Sequence, residues 1–453
     1  MRNADHIKAP LDEDAITHND GQIMKLLQNN RAVRLLLGIC FFLSMLPVLQ
    51  AENRGADGED FAGNRLLQIV SMEELDAPQV QAEAAVLLDY ETGTLLYEKN
   101  GGRLVPPASL TKLMTIHLLM QEVESGRLSF EQRIEVPEEA YWKNLPSGSS
   151  LMFLEPGQHP TVEDLLLGLA VSSGNDAAIA AAVLVSGSVE AFLRRMNSEA
   201  AGLGLALLHF ADTSGLDPRS CITARQFAEF CRFYISSHPE ALRRFHSIPE
   251  FTYPRPENVP GADSVKSITQ RNRNSLLHTY DGLDGLKSGY IDESGYNVAV
   301  TVKKQGRRLI AVLLGGTGES HPAGRRRLAD DGRKLLNFGF ETFTQVYPEQ
   351  LRYPDIRVWK GKTDSVPCSP GQPVLLTVPK SYTGRLNYHI STANALEAPV
   401  RAGMEAGSLT ITLAEETYRT YPLLASAGVE QAGPVKRLFH TIGMGLDALF
   451  AEN

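Results

Sequence analysis

Hydrophobic and polar positions alternate in two stretches of the first three quarters of the chain. Residues 82–99 do so on both sides of Glu91-Thr92-Gly93, and residues 297–302 and 309–314 do so around a charged turn. Each stretch predicts a β-hairpin. Apolar spacings of three and four predict helices over residues 110–119, 162–170, 177–184, 189–201, 223–234 and 326–338. Hairpins with helices between them indicate an α/β (α+β) fold, in which helices cover an antiparallel sheet.

The pattern changes near residue 350. From residue 354 to residue 430 the sequence predicts only short strands and turns, at 374–378, 386–390, 409–413 and 417–424, which indicates a small all-β domain. After Gly433-Pro434, apolar residues recur on one helical face: Val435, Leu438, Phe439, Ile442, Leu446, Leu449 and Phe450. With Lys436, Arg437 and His440 beside them, residues 434–453 predict an amphipathic helix at a membrane surface. A helix docked on its own domain is the alternative.

The N-terminal segment has the layout of a secretory leader. Residues 34–51 read RLLLGICFFLSMLPVLQA, an apolar run that follows basic residues and ends at the small residue Ala51. Its apolar part, roughly 15 residues, is short for a membrane span of about 20 residues. We therefore expect residues 1–51 to be a leader and signal peptide cleaved after Ala51, with an uncleaved anchor as the alternative. The acidic stretch before Met24 favours translation from Met24 rather than from Met1.

Composition narrows the possible functions only slightly. The chain has 453 residues, of which 43% are hydrophobic and 21% are charged, as expected of two or three globular domains. The net charge of −9 argues against a nucleic-acid partner, because phosphate binding usually needs a basic surface. No CxxC or HExxH pattern occurs, so we predict neither a metal site nor an organic cofactor.

Three short motifs carry the candidate chemistry. Ser109-Leu110-Thr111-Lys112 is an S-x-x-K, Ser173-Gly174-Asn175 is an S-x-N, and Lys287-Ser288-Gly289 is a K-[S/T]-G. Each motif alone is weak, since a surface serine and lysine on an amphipathic helix would give the first of them. In this order, and on predicted helices and a strand, the three form the signature of serine β-lactamases and penicillin-binding proteins.

The first motif predicts a nucleophile beside its base. Residues three apart on a helix are neighbours, so Lys112 is expected next to Ser109. A lysine accepts a proton only when it is neutral, and burial together with a nearby positive charge, for which Lys287 is the candidate, lowers its pKa. The backbone N–H of Ser109 at the helix start, and that of Tyr290, are candidate oxyanion donors.

The other two motifs predict substrate contacts. Ser173 is the candidate proton relay between Lys112 and the leaving group, and Asn175 the candidate partner of a substrate amide, with helix capping as the alternative use of Asn175. Lys287 and Ser288, on a predicted strand, are expected to bind a terminal carboxylate. Gly289 would let a peptide lie against the strand edge.

Longer segments around the motifs resemble the D-alanyl-D-alanine carboxypeptidase family of low-molecular-mass penicillin-binding proteins. The similar segments are RLVPPASLTKLMT, MFLEPGQHPTVEDLLLGLAVSSGNDAA and RNRNSLLHTYDGLDGLKSGYIDESGYNVAV, and the resemblance covers residues 75–345. It implies a penicillin-binding, β-lactamase-like fold for that domain. It also implies that residues 354–430 and 434–453 are the family's C-terminal domain and membrane anchor.

The resemblance also implies roles for individual residues. Ser109 is the implied nucleophile, Lys112 the implied base, and the other motif residues are the implied relay and substrate contacts. The family uses a late arginine for the substrate carboxylate. Arg325, Arg326 and Arg327 are consecutive here, and Arg326 is our prediction. Two departures are KSG in place of the commoner KTG, and Tyr290 where many relatives carry histidine.

The expected function is removal of the terminal D-alanine from peptidoglycan stem peptides that end in D-Ala-D-Ala, with β-lactam antibiotics as inhibitors. An exported protein held peripherally on the periplasmic face of the bacterial inner membrane fits the leader and the terminal helix. A D,D-endopeptidase that cuts cross-links is the alternative within the same chemistry. A β-lactamase and a non-catalytic envelope protein are more distant alternatives, disfavoured by the extra β domain and by the intact motifs respectively.

Overall fold

A computed structural model describes residues 65–261, 263–348 and 351–451, with side chains described as far as residue 444. The predicted leader, residues 1–51, and the start at Met24 lie outside the described residues, as do the side chains of Leu446, Leu449 and Phe450. The residues from Ala62 onward form one compact unit. No single helix among the described residues is long and apolar enough to cross a membrane; one pair, Asn175–Ser186 with Val189–Gly202, reaches that length only with an 84° bend.

A five-stranded antiparallel sheet organises the first domain. Its order is β2-β1-β9-β8-β7, which puts β7 at one edge. Both predicted hairpins are present, and the second extends back to β7. The strands are β1 (Ala84–Asp89), β2 (Leu95–Lys99), β3 (Leu104–Val105), β4 (Ile222–Thr223), β5 (Glu250–Tyr253), β6 (Ile268–Arg271), β7 (Leu283–Ile291), β8 (Gly295–Lys304) and β9 (Arg307–Gly316).

Every predicted helix of this domain is present, with shifted ends. The helices are α1 (Arg65–Ile69), α2 (Lys112–Glu124), α3 (Val162–Leu167), α4 (Asn175–Ser186), α5 (Val189–Gly202), α6 (Ala224–Ser237) and α7 (His321–Thr342). Instead of starting directly in α-helical form, α2 is preceded by a 3-10 turn at Ala108–Thr111. A π-helical segment, Gly168–Ser172, continues α3.

Two hydrophobic clusters cover the two faces of the sheet. On β1, Ala84, Val86 and Leu88 belong to the cluster that contains α2 to α6, whereas Ala85 and Leu87 belong to the cluster that contains α7. Successive side chains of a strand point to opposite faces, so a strand that is buried on both faces is apolar throughout. The same burial explains α2, which is buried nearly all round.

The second domain is all-β, as predicted. The first domain ends with β10 (Phe343–Val346), and the strands of the second are β11 (Ile356–Trp359), β12 (Ser365–Val366), β13 (Cys368–Pro370), β14 (Leu376–Pro379), β15 (Leu386–Thr392), β16 (Ala395–Glu397), β17 (Glu405–Leu413) and β18 (Glu416–Ala425). The four-stranded sheet β13-β18-β17-β15 is its largest. The strand predicted at 374–378 is β14, which pairs with β10 at the end of the first domain. A terminal helix, α8 (Pro434–Ala451), follows.

Candidate functional site

The 3-10 turn at Ala108–Thr111 presents Ser109 at the sheet edge and continues directly into α2. Lys112, the first residue of α2, is fully buried, and its Nζ lies 3.0 Å from Ser109 Oγ. Ala108 adopts φ 50°, a conformation that non-glycine residues rarely adopt. The predicted neighbourhood of Ser109 and Lys112 is therefore present, at a locally strained turn such as functional sites often contain.

The remaining contacts of Lys112 suit a neutral amine. Its Nζ donates to Asn175 Oδ1 at 2.7 Å and to the carbonyl oxygen of Ser214 at 2.8 Å. Two N–H groups thus meet two pure acceptors, and the lone pair of a neutral Nζ is left for the hydroxyl hydrogen of Ser109. Asn175 therefore contacts the base itself, a contact the sequence did not predict.

Electrostatics also favours the neutral form of Lys112. Burial, together with the positive charge of Arg273, lowers the pKa of Lys112 to about 7, although Asp212 and Asp176 oppose the shift. The sequence predicted Lys287 as the neighbouring positive charge. Burial holds the pKa of Lys287 well below its usual range, and Lys112 and Arg273 depress it further. The positive charge that lowers the pKa of Lys112 is therefore that of Arg273, which the motifs did not reveal, rather than that of Lys287.

Ser173 lies where the π-helical segment ends and α4 has not yet begun. Its backbone is left-handed, with φ 60° and ψ 34°, and its Oγ accepts a hydrogen bond from Lys287 Nζ at 2.9 Å. Asn175 is the first residue of α4 rather than its cap, which is Gly174. The second and third motifs are therefore joined by a direct contact between buried side chains.

Asp176 organises this region, although sequence reasoning overlooked it. Its buried carboxylate accepts N–H groups from three consecutive residues, Met152, Phe153 and Leu154, at 2.7–3.0 Å. It also accepts the N–H of Ala177 at 2.9 Å. An acidic residue in the first turn of a helix is a capping signal, and its position directly after S-x-N could have identified it.

The third motif lies on β7, the edge strand nearest Ser109. Lys287 is buried and contacts Ser173, and Gly289 faces the nucleophile turn. A Cβ atom on Gly289 would lie 2.6 Å from the backbone nitrogen of Ser109, closer than real Cβ contacts. Only glycine therefore lets β7 approach the nucleophile this closely, which gives a geometric reason for the last position of the motif.

A cleft of about 340 Å³ opens beside these motifs, and its lining includes Ser109, Ser173, Ser288, Gly289 and Tyr290. Arg273 and Arg325 also line it, but Arg326, the predicted carboxylate ligand, does not. Consecutive residues of a helix point about 100° apart, so only one of three successive arginines can face the cleft. Arg327, on another side of α7, pairs with Glu319 at 3.2 Å.

The charge of the cleft is one-sided. Its described lining contains Arg273, Arg325 and His321 and no aspartate or glutamate. Within the described residues, neither arginine has a hydrogen bond or an ion pair to a carboxylate. Both guanidinium groups are therefore available to pair with a ligand in the cleft, so the cleft suits an anionic group. Arg273 precedes the third motif by fourteen positions, and no short pattern marks it.

Comparisons with known proteins agree with this geometry. Residues 71–318 match the family described as D-alanyl-D-alanine carboxypeptidase, and residues 340–431 match the C-terminal domain of penicillin-binding protein 5. D-alanyl-D-alanine carboxypeptidase DacC of Escherichia coli is 33% identical over 386 residues, which are 83% of this chain and 92% of the relative. DacF of Bacillus subtilis is 30% identical over 366 residues, 80% and 90% of the two chains. The crystal structure of penicillin-binding protein 5 from Haemophilus influenzae covers 78% of this chain and 99% of its own, with a TM-score of 0.70 at 28% identity.

Proposed function

The chain belongs to the D-alanyl-D-alanine carboxypeptidase family of serine peptidases, and we propose that Ser109 is the nucleophile with which it removes the terminal D-alanine of peptidoglycan stem peptides. The observation that carries this proposal is the pairing of Ser109 Oγ with Lys112 Nζ at 3.0 Å. Because the pKa of Lys112 is lowered to about 7, a large fraction of this lysine is neutral at physiological pH.

Acylation begins when Ser109 Oγ attacks the carbonyl carbon of the penultimate D-alanine. The hydroxyl proton passes to Lys112 Nζ, and the backbone N–H groups of Ser109 and Tyr290 stabilise the oxyanion. The C–N bond then breaks, and the departing amine takes a proton through the Ser173 hydroxyl, which Lys287 holds at 2.9 Å. Water hydrolyses the ester and regenerates Ser109.

The terminal carboxylate of the substrate is bound by the cationic side of the cleft. Arg325 is the preferred ligand among the three consecutive arginines, because it lines the cleft and Arg326 does not. Arg273 and the hydroxyl of Ser288 complete the set. Asn175, which accepts from Lys112 through Oδ1, keeps its amide nitrogen for a substrate carbonyl. A β-lactam carries a carboxylate and a reactive amide, so it acylates the same serine.

The terminal helix α8 supports attachment to a membrane surface. Val435, Leu438, Phe439 and Ile442 follow one helical face, and each is more than half exposed. A different face holds α8 on the β domain, because His440 Nδ1 accepts the N–H of Lys360 at 2.7 Å and Lys436 pairs with Asp364 at 2.8 Å. Docking on the β domain therefore leaves the apolar face of α8 exposed. A helix that docks on its own domain can thus also bind a membrane surface.

From this exposed face and the leader-like segment at residues 34–51, we propose that the protein acts on the periplasmic face of the inner membrane, where peptidoglycan is built. The family's envelope role and the exposed apolar face of α8 both support that location. The predicted domain limits, 75–345 for the peptidase and 354–430 for the β domain, remain part of the proposal.

Release of D-alanine tests the proposal directly. Residues 52–453 are incubated with an acyl-Lys-D-Ala-D-Ala peptide, and free D-alanine is measured beside Ser109→Ala. The parent protein should release D-alanine and take up labelled penicillin, and Ser109→Ala should lose at least about 10³-fold of the rate and all of the label. Activity or label that survives in Ser109→Ala contradicts the nucleophile assignment.

The same assay separates the alternatives. A D,D-endopeptidase would label with penicillin, release little D-alanine and cleave dimeric muropeptides. A β-lactamase would release hydrolysed penicillin in many turnovers. A non-catalytic envelope protein would release neither D-alanine nor hydrolysed penicillin.

A further inference from the structure

Three aromatic rings line one wall of the cleft beside the third motif: those of Tyr290, Tyr296 and His321. Resting on the function proposed above, we infer that Tyr290 limits the size of the leaving group. Its ring restricts the departing residue to a small amino acid such as D-alanine, and it thereby disfavours cross-link cleavage.

The alternation of side chains along β7 puts Tyr290 on the leaving-group side. Lys287 contacts Ser173, and Gly289 faces the turn that carries Ser109. Ser288 and Tyr290 therefore point to the other face of the strand. That face carries Val298 and Tyr296 on the paired strand β8, directly opposite Ser288 and Tyr290.

The recess on this face lies between β7, β8 and α7. Its walls include Leu276, Val298 and Leu328, which are nearly fully buried. Arg325 lines the same recess, one helical turn after His321. Because Ser288 and Arg325 are the proposed ligands of the terminal carboxylate, the residue that departs with that carboxylate must fit beside Tyr290.

The Tyr290 ring is held in position from three sides. Its hydroxyl donates to Asp292 Oδ1 at 2.7 Å. Its ring centroid lies 4.5 Å from that of Tyr296 and 4.6 Å from that of His321. Tyr296 and His321 are themselves joined by a hydrogen bond of 2.6 Å. A side chain with this many contacts does not move aside readily for a bulky leaving group.

The packing behind the rings is equally close. A Cβ atom on Gly324 would lie 2.1 Å from the Tyr296 ring, so the N-terminal turn of α7 is pressed against that ring. Tyr296 is only 6% exposed, whereas Tyr290 is 38% exposed. The Tyr290 ring is therefore the part of the cluster that solvent and ligand reach. The Tyr296 ring behind it is packed against α7 and has no space to move away.

A series of leaving groups tests the inference. Residues 52–453 are assayed with acyl-Lys-D-Ala-D-X peptides in which X is D-Ala, D-Leu or D-Phe, and kcat/KM is measured from the release of D-X. The parent should prefer D-Ala over D-Leu by about tenfold or more, the discrimination that a close-fitting pocket achieves. Tyr290→Ala should reduce that preference to within about threefold and should raise cleavage of dimeric muropeptides relative to D-alanine release.

Tyr290→Phe is the matched control, because it keeps the ring and removes only the hydroxyl, and it should keep most of the parent preference. Penicillin labelling of Ser109 shows that each variant has a native site. If Tyr290→Ala does not label, Tyr290→His makes the same comparison with a smaller ring. If Tyr290→Ala, or Tyr290→His in its place, labels but keeps the parent preference, the inference is overturned and the proposed function stands. A parent protein that releases no D-alanine overturns the proposed function and the inference with it.

Discussion

At the scale of single residues, the low pKa of Lys112 depends on which groups the nearby carboxylates bind. Asp212 and Asp176 both oppose the shift, yet neither forms an ion pair with Lys112 among the described contacts. Asp212 accepts the N–H groups of Gly215 and Leu216, each at 2.8 Å, and Asp176 accepts backbone N–H groups on its own side of the site. Asp212 also accepts from the Ser214 hydroxyl at 2.8 Å. Because the oxygens of both carboxylates already accept hydrogen bonds from other groups, these acids hold the surrounding loops in place without forming an ion pair with Lys112.

This arrangement predicts how acylation depends on pH. Lys112 accepts a proton only when neutral, and its pKa is lowered to about 7, so the acylation rate should rise with pH below 7 and level off above it. Well below 7 the rate should change about tenfold per pH unit. The measurement is the rate of penicillin labelling of Ser109 between about pH 5.5 and pH 8.5.

Asp212→Asn removes a carboxylate that raises the pKa of Lys112, so the rising limb should move to lower pH. Asp217→Asn is the matched control, because Asp217 is a nearby acid paired with Arg219 and is not among the groups that shift Lys112. A limb that stays in place in Asp212→Asn, or a rate that falls as pH rises, would show that Lys112 is not the base.

The sequence predicted the motif residues but not their partners. Ser109, Lys112, Ser173 and Lys287 are recognisable because their side chains and spacing are fixed by the chemistry. The Ser214 contact to Lys112 uses a backbone carbonyl, which every residue type has, so no pattern reveals it. The choice of Arg325 over Arg326 depends on which face of α7 points into the cleft. Sequence periodicity defines that orientation too coarsely to distinguish two consecutive residues.

At the scale of elements, irregular segments position the reactive groups. The nucleophile lies on a 3-10 turn, and the relay serine follows a π-helical segment. The sequence predicted the regular helices around both, because apolar periodicity records which face is buried. It could not predict these local departures, which arise from packing against β7 and against the loop that Asp176 holds. In the β domain four strands were predicted among eight, since strands of two to four residues leave too few alternations to detect.

The helix α8 supplies a prediction at this scale. Leu438→Asp with Ile442→Asp places two charges on the exposed apolar face without touching Lys436 or His440, which dock the helix. Binding of residues 52–453 to vesicles of anionic phospholipid should fall by at least about tenfold, because that face can no longer bury apolar area in the interface. Cosedimentation measures the bound fraction.

The control for α8 carries the same substitution at exposed apolar residues elsewhere, Leu207→Asp with Met404→Asp, which are 45% and 43% exposed. It should bind vesicles as the parent does. If the α8 variant also binds like the parent, or if removing residues 434–453 leaves the protein in the membrane fraction, the helix is not the anchor.

At the scale of the whole molecule, the two domains share one core. The hydrophobic cluster on the α7 side of the sheet continues through Phe343 into the β domain, where Leu376 and Leu409 belong to it. The sequence predicted the domains separately, because a change of periodicity marks a boundary whether or not the contacts across it are extensive. Which residues of two domains meet is a matter of long-range packing, and local patterns do not record it.

Polar contacts reinforce this junction at the turn between β1 and β2. Arg419 on β18 donates to the carbonyl oxygen of Thr92 at 2.9 Å and to Thr94 Oγ1 at 3.0 Å. Thr92 Oγ1 lies 2.9 Å from Thr377 Oγ1 on the β domain. The first hairpin of the peptidase domain is thus bonded to two strands of the β domain, so the position of one domain constrains the other.

We therefore expect residues 62–453 to unfold in one cooperative transition, and Arg419→Ala to weaken it. Loss of hydrogen bonds from a charged donor, with their acceptors left partly buried, should lower the free energy of unfolding by about 2 kcal/mol. D-alanine release by the folded variant should equal that of the parent, because the described side-chain contacts of Arg419 are with Thr92, Thr94 and the Tyr418 ring and not with an element that carries Ser109, Lys112 or Ser173. Arg401→Ala, at an exposed arginine with no described side-chain contact, should leave both properties unchanged. Calorimetry of the parent that resolves two separate transitions, or an Arg419→Ala variant as stable as the parent, would mean that the domains are joined only by the chain and fold independently.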